Sequence, residues 1–215
     1  GGRTSHTAIV ARSLGIPAVV NAEYLEATPL GKAEWIRFMA AFVSRGAKAD
    51  SLFRKTEAHY RSLADKVAGV SDKPGVLTGL PYRDTWWIPG GHSYMARLIS
   101  DAGGQLVAPE NSSRESITIS MEEAVTLSAR ASVWINTGNV SSRAEMAAAD
   151  PRLQKLPAFS GARIFNNNKR ATPGGGNDFW ESGTVFPDLV LEDLIRVLHP
   201  GVLPEQPFNY YVEIR

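Results

Sequence analysis

Apolar residues along the chain switch between helical and strand-like spacing several times, and this rhythm lays out the elements. Residues 8–14 read as a short helix stopped by Gly15-Ile16-Pro17, and Ala18-Val19-Val20 then reads as a buried strand. After Pro29 and Gly31, the residues Ala33, Trp35, Ile36, Phe38, Met39, Phe42 and Val43 recur at helical spacing, and Gly46 ends that helix. Trp35, Phe38 and Phe42, together with Phe53 further on, are expected in the core. A longer amphipathic helix is predicted over 47–67, where Leu52, Phe53, Tyr60, Leu63, Ala64 and Val67 keep a helical period.

From Pro74 the rhythm becomes β–α–β. Strands are predicted at 75–78, 105–107, 133–136 and 162–165, with helices near 93–102, 121–130 and 142–149. A last helix over 187–198 opens with Pro187 and stops before His199-Pro200-Gly201. Alternating elements with short apolar strands predict an α/β fold, a layered domain around a mostly parallel sheet. Residues 80–92 and 166–183 break the rhythm. Both are rich in Gly and aromatics, the second also in Asn, and both follow the C-terminal end of a strand, where open α/β sheets usually bind ligands.

Composition narrows the function classes. The 215 residues carry 23 Lys and Arg against 22 Asp and Glu, a net charge of +1. That balance argues against a strongly basic nucleic-acid binder and against an acidic disordered tail. Cysteine is absent, which excludes disulfides, thiolate nucleophiles and Cys-ligated zinc or iron–sulfur centres. No apolar run approaches the roughly 20 residues of a membrane-spanning helix, and the N-terminus does not read as a signal peptide. The expectation is a soluble chain, or one that has lost its targeting segment.

Candidate chemistry concentrates in the two irregular segments. Trp86 and Trp87 are adjacent, with Tyr82 nearby; neighbours on an extended segment point to opposite sides, so at least one is exposed or covered by a ligand. Flat aromatic walls suit a corrin, porphyrin or catecholate. Trp180 stands at the far side of the second segment as a ligand-facing candidate, and stacking on the ligand is expected from Trp86, Trp87 and Trp180. Polar contacts are expected from Tyr82, Tyr94, Asn167 and Arg170, and Arg83 and Lys169 are further cations beside these segments. Gly174-Gly175-Gly176 lacks the spacing of a nucleotide fingerprint and no Lys-Ser/Thr follows, which rejects a phosphate loop. His6, His59, His92 and His199 form no local metal pair; His92 either touches a ligand or caps the helix that begins near Ser93. No Ser/His/Asp set or carboxylate pair points to catalysis.

Two resemblances follow from particular residues. Gly1-Gly2-Arg3-Thr4-Ser5-His6, with Ala8-Ile9-Val10-Ala11-Arg12, resembles the phosphohistidine signature of phosphoenolpyruvate-utilising enzymes, most closely the first enzyme of the sugar phosphotransferase system. That resemblance covers residues 1–20 and implies phosphorylation of His6, with Thr4 and Ser5 donating to the phosphate. The competing expectation is that Thr4 or Ser5 only caps a short helix.

From Gly15 on, Gly15-Ile16-Pro17, Asn21-Ala22-Glu23-Tyr24 and Pro29-Leu30-Gly31-Lys32-Ala33-Glu34-Trp35-Ile36 look like the middle of an ABC-transporter substrate-binding protein. Pro89-Gly90-Gly91-His92-Ser93-Tyr94, Asp101-Ala102-Gly103-Gly104, Trp134-Ile135-Asn136-Thr137-Gly138 and Trp180-Glu181 followed by Pro187–Leu194 are similar to later parts of the class that captures ferric siderophores, haem or corrinoids. The resemblance spans nearly all of residues 15–215. It implies a remnant of a first lobe at 1–45, a linking helix at 46–73 and a second α/β lobe at 74–215. It also implies a periplasmic or membrane-anchored extracytoplasmic location and an ABC permease and ATPase as partners. The ligand would be an iron siderophore, haem or cobalamin, with no resident cofactor and no catalysis, and Glu181 and Glu110 are candidates for docking the permease.

Overall fold

The computed structural model describes residues 6–215, with side chains from Ile9 onward. Helix α1 (His6–Ser13) ends at Gly15, whose φ of +68° suits a residue without a side chain. The strand expected at 18–20 does not form. This segment joins neither sheet, and Val19 is 61% exposed, because no strand among the described residues offers its backbone a partner.

Helix α2 (Pro29–Ala41) starts with proline in its first turn and is capped by Thr28, whose Oγ1 accepts from the Gly31 amide at 3.1 Å. It packs on helix α3 (Gly46–Val67), and the positions it buries are Pro29, Ala33 and Ala40. Burial of these small residues leaves its aromatic side facing outward. Phe38 and Phe42 are therefore exposed and stack edge-to-face on each other at 5.2 Å, while Trp35 is half-buried and donates its Nε1 to Glu26 at 3.1 Å. Of the four aromatics expected in the core, Phe53 alone is buried, with the Arg37 guanidinium 4.3 Å from its ring centroid.

Beyond α3 come β1 (Gly75–Thr78), the short strands β2 (Pro81–Tyr82) and β3 (Thr85–Ile88), and α4 (Tyr94–Asp101). They are followed by β4 (Gln105–Leu106), β5 (Ile117–Ile119), α5 (Met121–Ser128), β6 (Val133–Ile135), α6 (Arg143–Ala149) and α7 (Pro157–Gly161). The chain closes with β7 (Arg163–Asn166), α8 (Ser182–Val185), α9 (Pro187–Leu198) and β8 (Val212–Ile214). The main sheet has the order β4-β1-β6-β7-β8, with β4, β1, β6 and β7 parallel and β8 antiparallel to β7. Val76 pairs with Val133, Leu77 with Trp134 and Ile135 with Phe165.

Because side chains alternate along each strand, the sheet has two apolar faces. Val76, Val133, Ile135 and Phe165 meet the stripes of α3, α4 and α9, including Tyr60, Leu63, Leu98, Leu194 and Ile195. Leu77, Trp134 and Ile164 meet Trp86, Ile88, Ile119, Leu127 and Met146 on the opposite side. A parallel sheet covered on both faces is what its nearly unbroken apolar strands require. Residues 80–92, read from the sequence as irregular, contain a hairpin: β2 and β3 turn at Arg83 (φ +57°) and Asp84, and β3 pairs with β5 in a second antiparallel sheet. Arg152 holds that turn by donating to Asp84 and to the Arg83 carbonyl, both at 2.9 Å.

Two polar links join the last elements to this core. His59 on α3 meets Asp188 at the start of α9 at 2.9 Å. Asp193 in α9 is fully buried and accepts from the amides of Asn209, Tyr210 and Tyr211 at 2.8, 2.6 and 3.1 Å.

Candidate ligand cleft

The parallel strands β1 and β6 end at Thr78 and Ile135, and a cavity of about 350 Å³ opens just beyond them. Thr78, Gly79 and Asn136 form its floor at the C-terminal edge of the sheet, the position where open α/β sheets hold ligands. Two indoles fix that floor from below: Trp86 donates Nε1 to the Thr78 carbonyl at 3.0 Å, and Trp134 donates to the Gly79 carbonyl at 2.8 Å. Asn136 has a left-handed backbone (φ +58°), accepts from the Tyr211 hydroxyl at 2.9 Å and reaches the Met95 sulfur at 3.8 Å.

Aromatic residues wall the cavity. Trp87, from β3, is 57% exposed, and Trp180, from the turn before α8, is 63% exposed. Trp180 rests edge-on against buried Phe179 at 4.8 Å, which fixes the plane it presents. Tyr94 opens α4 and is half-buried; burial pushes its hydroxyl above the ordinary tyrosine range, so it stands as a neutral phenol. Lys32 lies 5.3 Å from the Tyr94 ring centroid and pairs with Glu23 at 3.3 Å. Tyr24, Leu25, Glu26 and Ala27 close the side nearest α2, and Arg114 stands on the lining from the loop before β5.

Of the seven ligand contacts expected from sequence, Trp87, Tyr94 and Trp180 lie on this lining; Tyr82, Trp86, Asn167 and Arg170 do not. Trp86 is 1% exposed and stacks on Trp134 at 5.6 Å, so the inward parity of β3 makes it core. Tyr82 is exposed on the hairpin turn with Arg83 over its ring. Asn167 is buried within the 166–182 segment. Arg170 is held internally, donating to the Asn209 carbonyl at 2.9 Å and to Asp178 at 3.1 Å, with Tyr210 beneath its guanidinium. Lys169 likewise donates to the Phe208 carbonyl. His92 is exposed beside the start of α4, whose cap is Ser93: its Oγ accepts from the Ala96 amide at 3.3 Å.

Glu110 and Glu181 are both exposed. Residues 1–5, including Thr4 and Ser5, lie outside the described residues, as does the side chain of His6. No group of three or more His, Cys, Asp or Glu that could hold a metal ion occurs among the described residues. The sequence reading missed Thr78, Asn136, Lys32 and Arg114. A usable signal existed for the first two, since each ends a short apolar strand at the ligand-binding edge of a parallel sheet.

The 166–182 segment, which carries Trp180, is tied down by its polar side chains. Asn166 Nδ2 donates to the Gly138 and Val140 carbonyls at 2.7 and 2.9 Å, and Asn177 donates to the Asn167 carbonyl at 3.1 Å. Asp178 accepts from Ser182 at 2.6 Å and from Arg170 at 3.1 Å, and these bonds hold its carboxyl below the ordinary aspartate range. With the folded pKa lowered, this contribution is present above the ordinary aspartate pKa and is lost as pH falls through the lowered value. Trp180 fluorescence, taken as the difference from Trp180→Phe, should therefore change only below about pH 4. Asp178→Asn should remove that acid step; a step that survives the substitution would disprove the assignment.

The comparisons with known proteins bear on the family and the fold. A family model described as periplasmic binding protein matches residues 4–171. An uncharacterized lipoprotein of Methanocaldococcus jannaschii is 25% identical over 205 residues, covering 94% of this chain and 47% of that protein. A second uncharacterized lipoprotein of the same organism is 23% identical, covering 95% of this chain and 52% of that protein. The chain thus spans about half the length of these curated relatives. Among solved structures, a periplasmic heme binding protein from Pseudomonas aeruginosa superposes with a TM-score of 0.71 at 15% identity, covering 98% of this chain and 74% of that one. A periplasmic solute binding protein from Veillonella parvula gives a TM-score of 0.67 at 18% identity, covering 93% of this chain and 58% of that one. These likenesses show a shared fold, and the family match over most of the length shows that this chain belongs to the periplasmic binding protein family.

Proposed function

We propose that this chain is a ligand-capturing part of a binding protein that serves an ABC-type uptake system for an iron chelate, haem or corrinoid, and that it works outside the cytoplasmic membrane without catalysis. The carrying observation is the convergence of Trp87, Tyr94 and Trp180 on one cavity beyond the C-terminal ends of β1 and β6. Family membership supports a capture role, and the matched structures include proteins named as heme-binding. Transport energy would come from the partner ATPase. Glu181, adjacent to Trp180, and Glu110, on the loop that also carries Arg114, would offer exposed carboxylates to basic pockets of the permease.

Tryptophan-fluorescence titration against haem, cobalamin, and catecholate and hydroxamate ferric siderophores tests this reading, with inner-filter controls. Saturable quenching by at least one of them is expected. Trp180→Ala should weaken that binding by roughly 10-fold or more, since each 1.4 kcal/mol of lost stacking is tenfold. Flat traces across the panel would refute the proposal.

A further inference from the structure

Resting on that reading, we propose that the cleft selects anionic ligands, seating a carboxylate or other oxyanion at the N-terminus of α4 between Arg114 and the Thr78 hydroxyl. Three independent features meet there. Ser93, Tyr94 and Met95 all face the cavity, so α4 points its N-terminus into it. Ser93 satisfies the Ala96 amide, which leaves the first two amides of the helix at the open end, where the helix dipole favours negative charge.

The second feature is Thr78. It is 3% exposed, lines the cavity floor, and its Oγ1 has no hydrogen-bond partner. Buried hydroxyls are ordinarily satisfied; a ligand oxygen above the sheet edge would accept from this one. The third is the charge balance. Lys32 is paired with Glu23, and Glu26 is engaged by Trp35. Arg114 makes no ion pair among the described residues, although it lines both this cavity and the adjoining groove over α4. It is the cation left over for a ligand, with five donors in a planar fork that suits an oxyanion.

Four probes of different charge separate this proposal from the one it rests on: a trianionic ferric tris-catecholate, haem with its two propionates, a neutral ferric trihydroxamate and neutral cyanocobalamin. We expect an anionic probe to bind best, with affinity falling as salt is raised. Arg114→Gln should weaken that probe roughly 10-fold, and the near-isosteric Thr78→Val should do so by a similar factor. Both substitutions should weaken the anionic probes far more than the neutral ones, and neither should lower the thermal midpoint, since Thr78→Val removes a buried hydroxyl that has no partner. A neutral probe that binds as tightly as the anionic ones would overturn the inference while leaving the capture function standing. So would an anionic affinity indifferent to both substitutions. Silence of all four probes would overturn the capture function itself, and this inference with it.

Discussion

Trp134→Ala is expected to cost about 3–5 kcal/mol of stability, the range for deleting a large buried aromatic. Trp134 has no exposed surface, stacks on Trp86 at 5.6 Å and is flanked by Leu77 and Ile164 on the same face of the sheet. Neighbouring elements cannot collapse into the space it leaves, because the sheet backbone holds them apart. Urea unfolding followed by circular dichroism gives the number; a loss below about 1 kcal/mol would show that the indole is not packed as described. Trp134→Phe separates packing from hydrogen bonding. It keeps most of the apolar volume but releases the Gly79 carbonyl at the cleft floor. A folded Trp134→Phe variant with weakened ligand binding would link this core residue to the site through the backbone it holds.

Asp193→Ala should be comparably damaging, by a different route. Its carboxylate satisfies three successive backbone amides, and the residue is fully buried. Each orphaned buried donor costs about 1–3 kcal/mol, so the total loss should reach about 3 kcal/mol or more. Asp193→Asn discriminates between shape and charge. The carboxamide is isosteric, but it must present an NH2 group either to the Asn209 amide or to those of Tyr210 and Tyr211, placing donor against donor. Most of the loss should therefore persist in Asp193→Asn. Chemical denaturation of both variants tests this, and an Asn variant as stable as the parent would show that the amides do not depend on the carboxylate. Because Tyr211 bonds Asn136 at the cleft, both variants should also perturb ligand affinity wherever they remain folded.

Much of the fold was legible in the sequence. The four parallel strands fall where short apolar runs placed them, α3 begins within one residue of its expected start, and α9 has its expected bounds. Those signals are local, being set by apolar spacing, Pro187 and the stop after Leu198; Gly46, expected to end the preceding helix, is instead the first residue of α3, and α2 already stops at Ala41. Where the reading failed, a partner at a distance decided the outcome. Residues 18–20 have the composition of a strand but no neighbour to pair with. Phe38 and Phe42 have core spacing, yet α2 buries Ala33 and Ala40 instead. The hairpin at β2 and β3 escaped notice because its stabilising partner, β5, lies about thirty residues away and carries only one buried side chain.

The candidate site divides in the same way. Adjacency in an extended segment required Trp86 and Trp87 to part, one inward and one outward, and alternation along the strand makes that a property of the sequence. Which of them faces the cleft was decided by the pairing of β3 with β5, which commits Trp86 to the core beside Trp134. Alternating helix and strand periods, likewise local, determined an α/β chain with a parallel sheet and irregular segments at its ligand-binding edge. The tertiary structure alone brought Lys32, Thr78, Arg114, Asn136 and Trp180 around one cavity, because packing of sheet and helices joins residues that no sequence period relates.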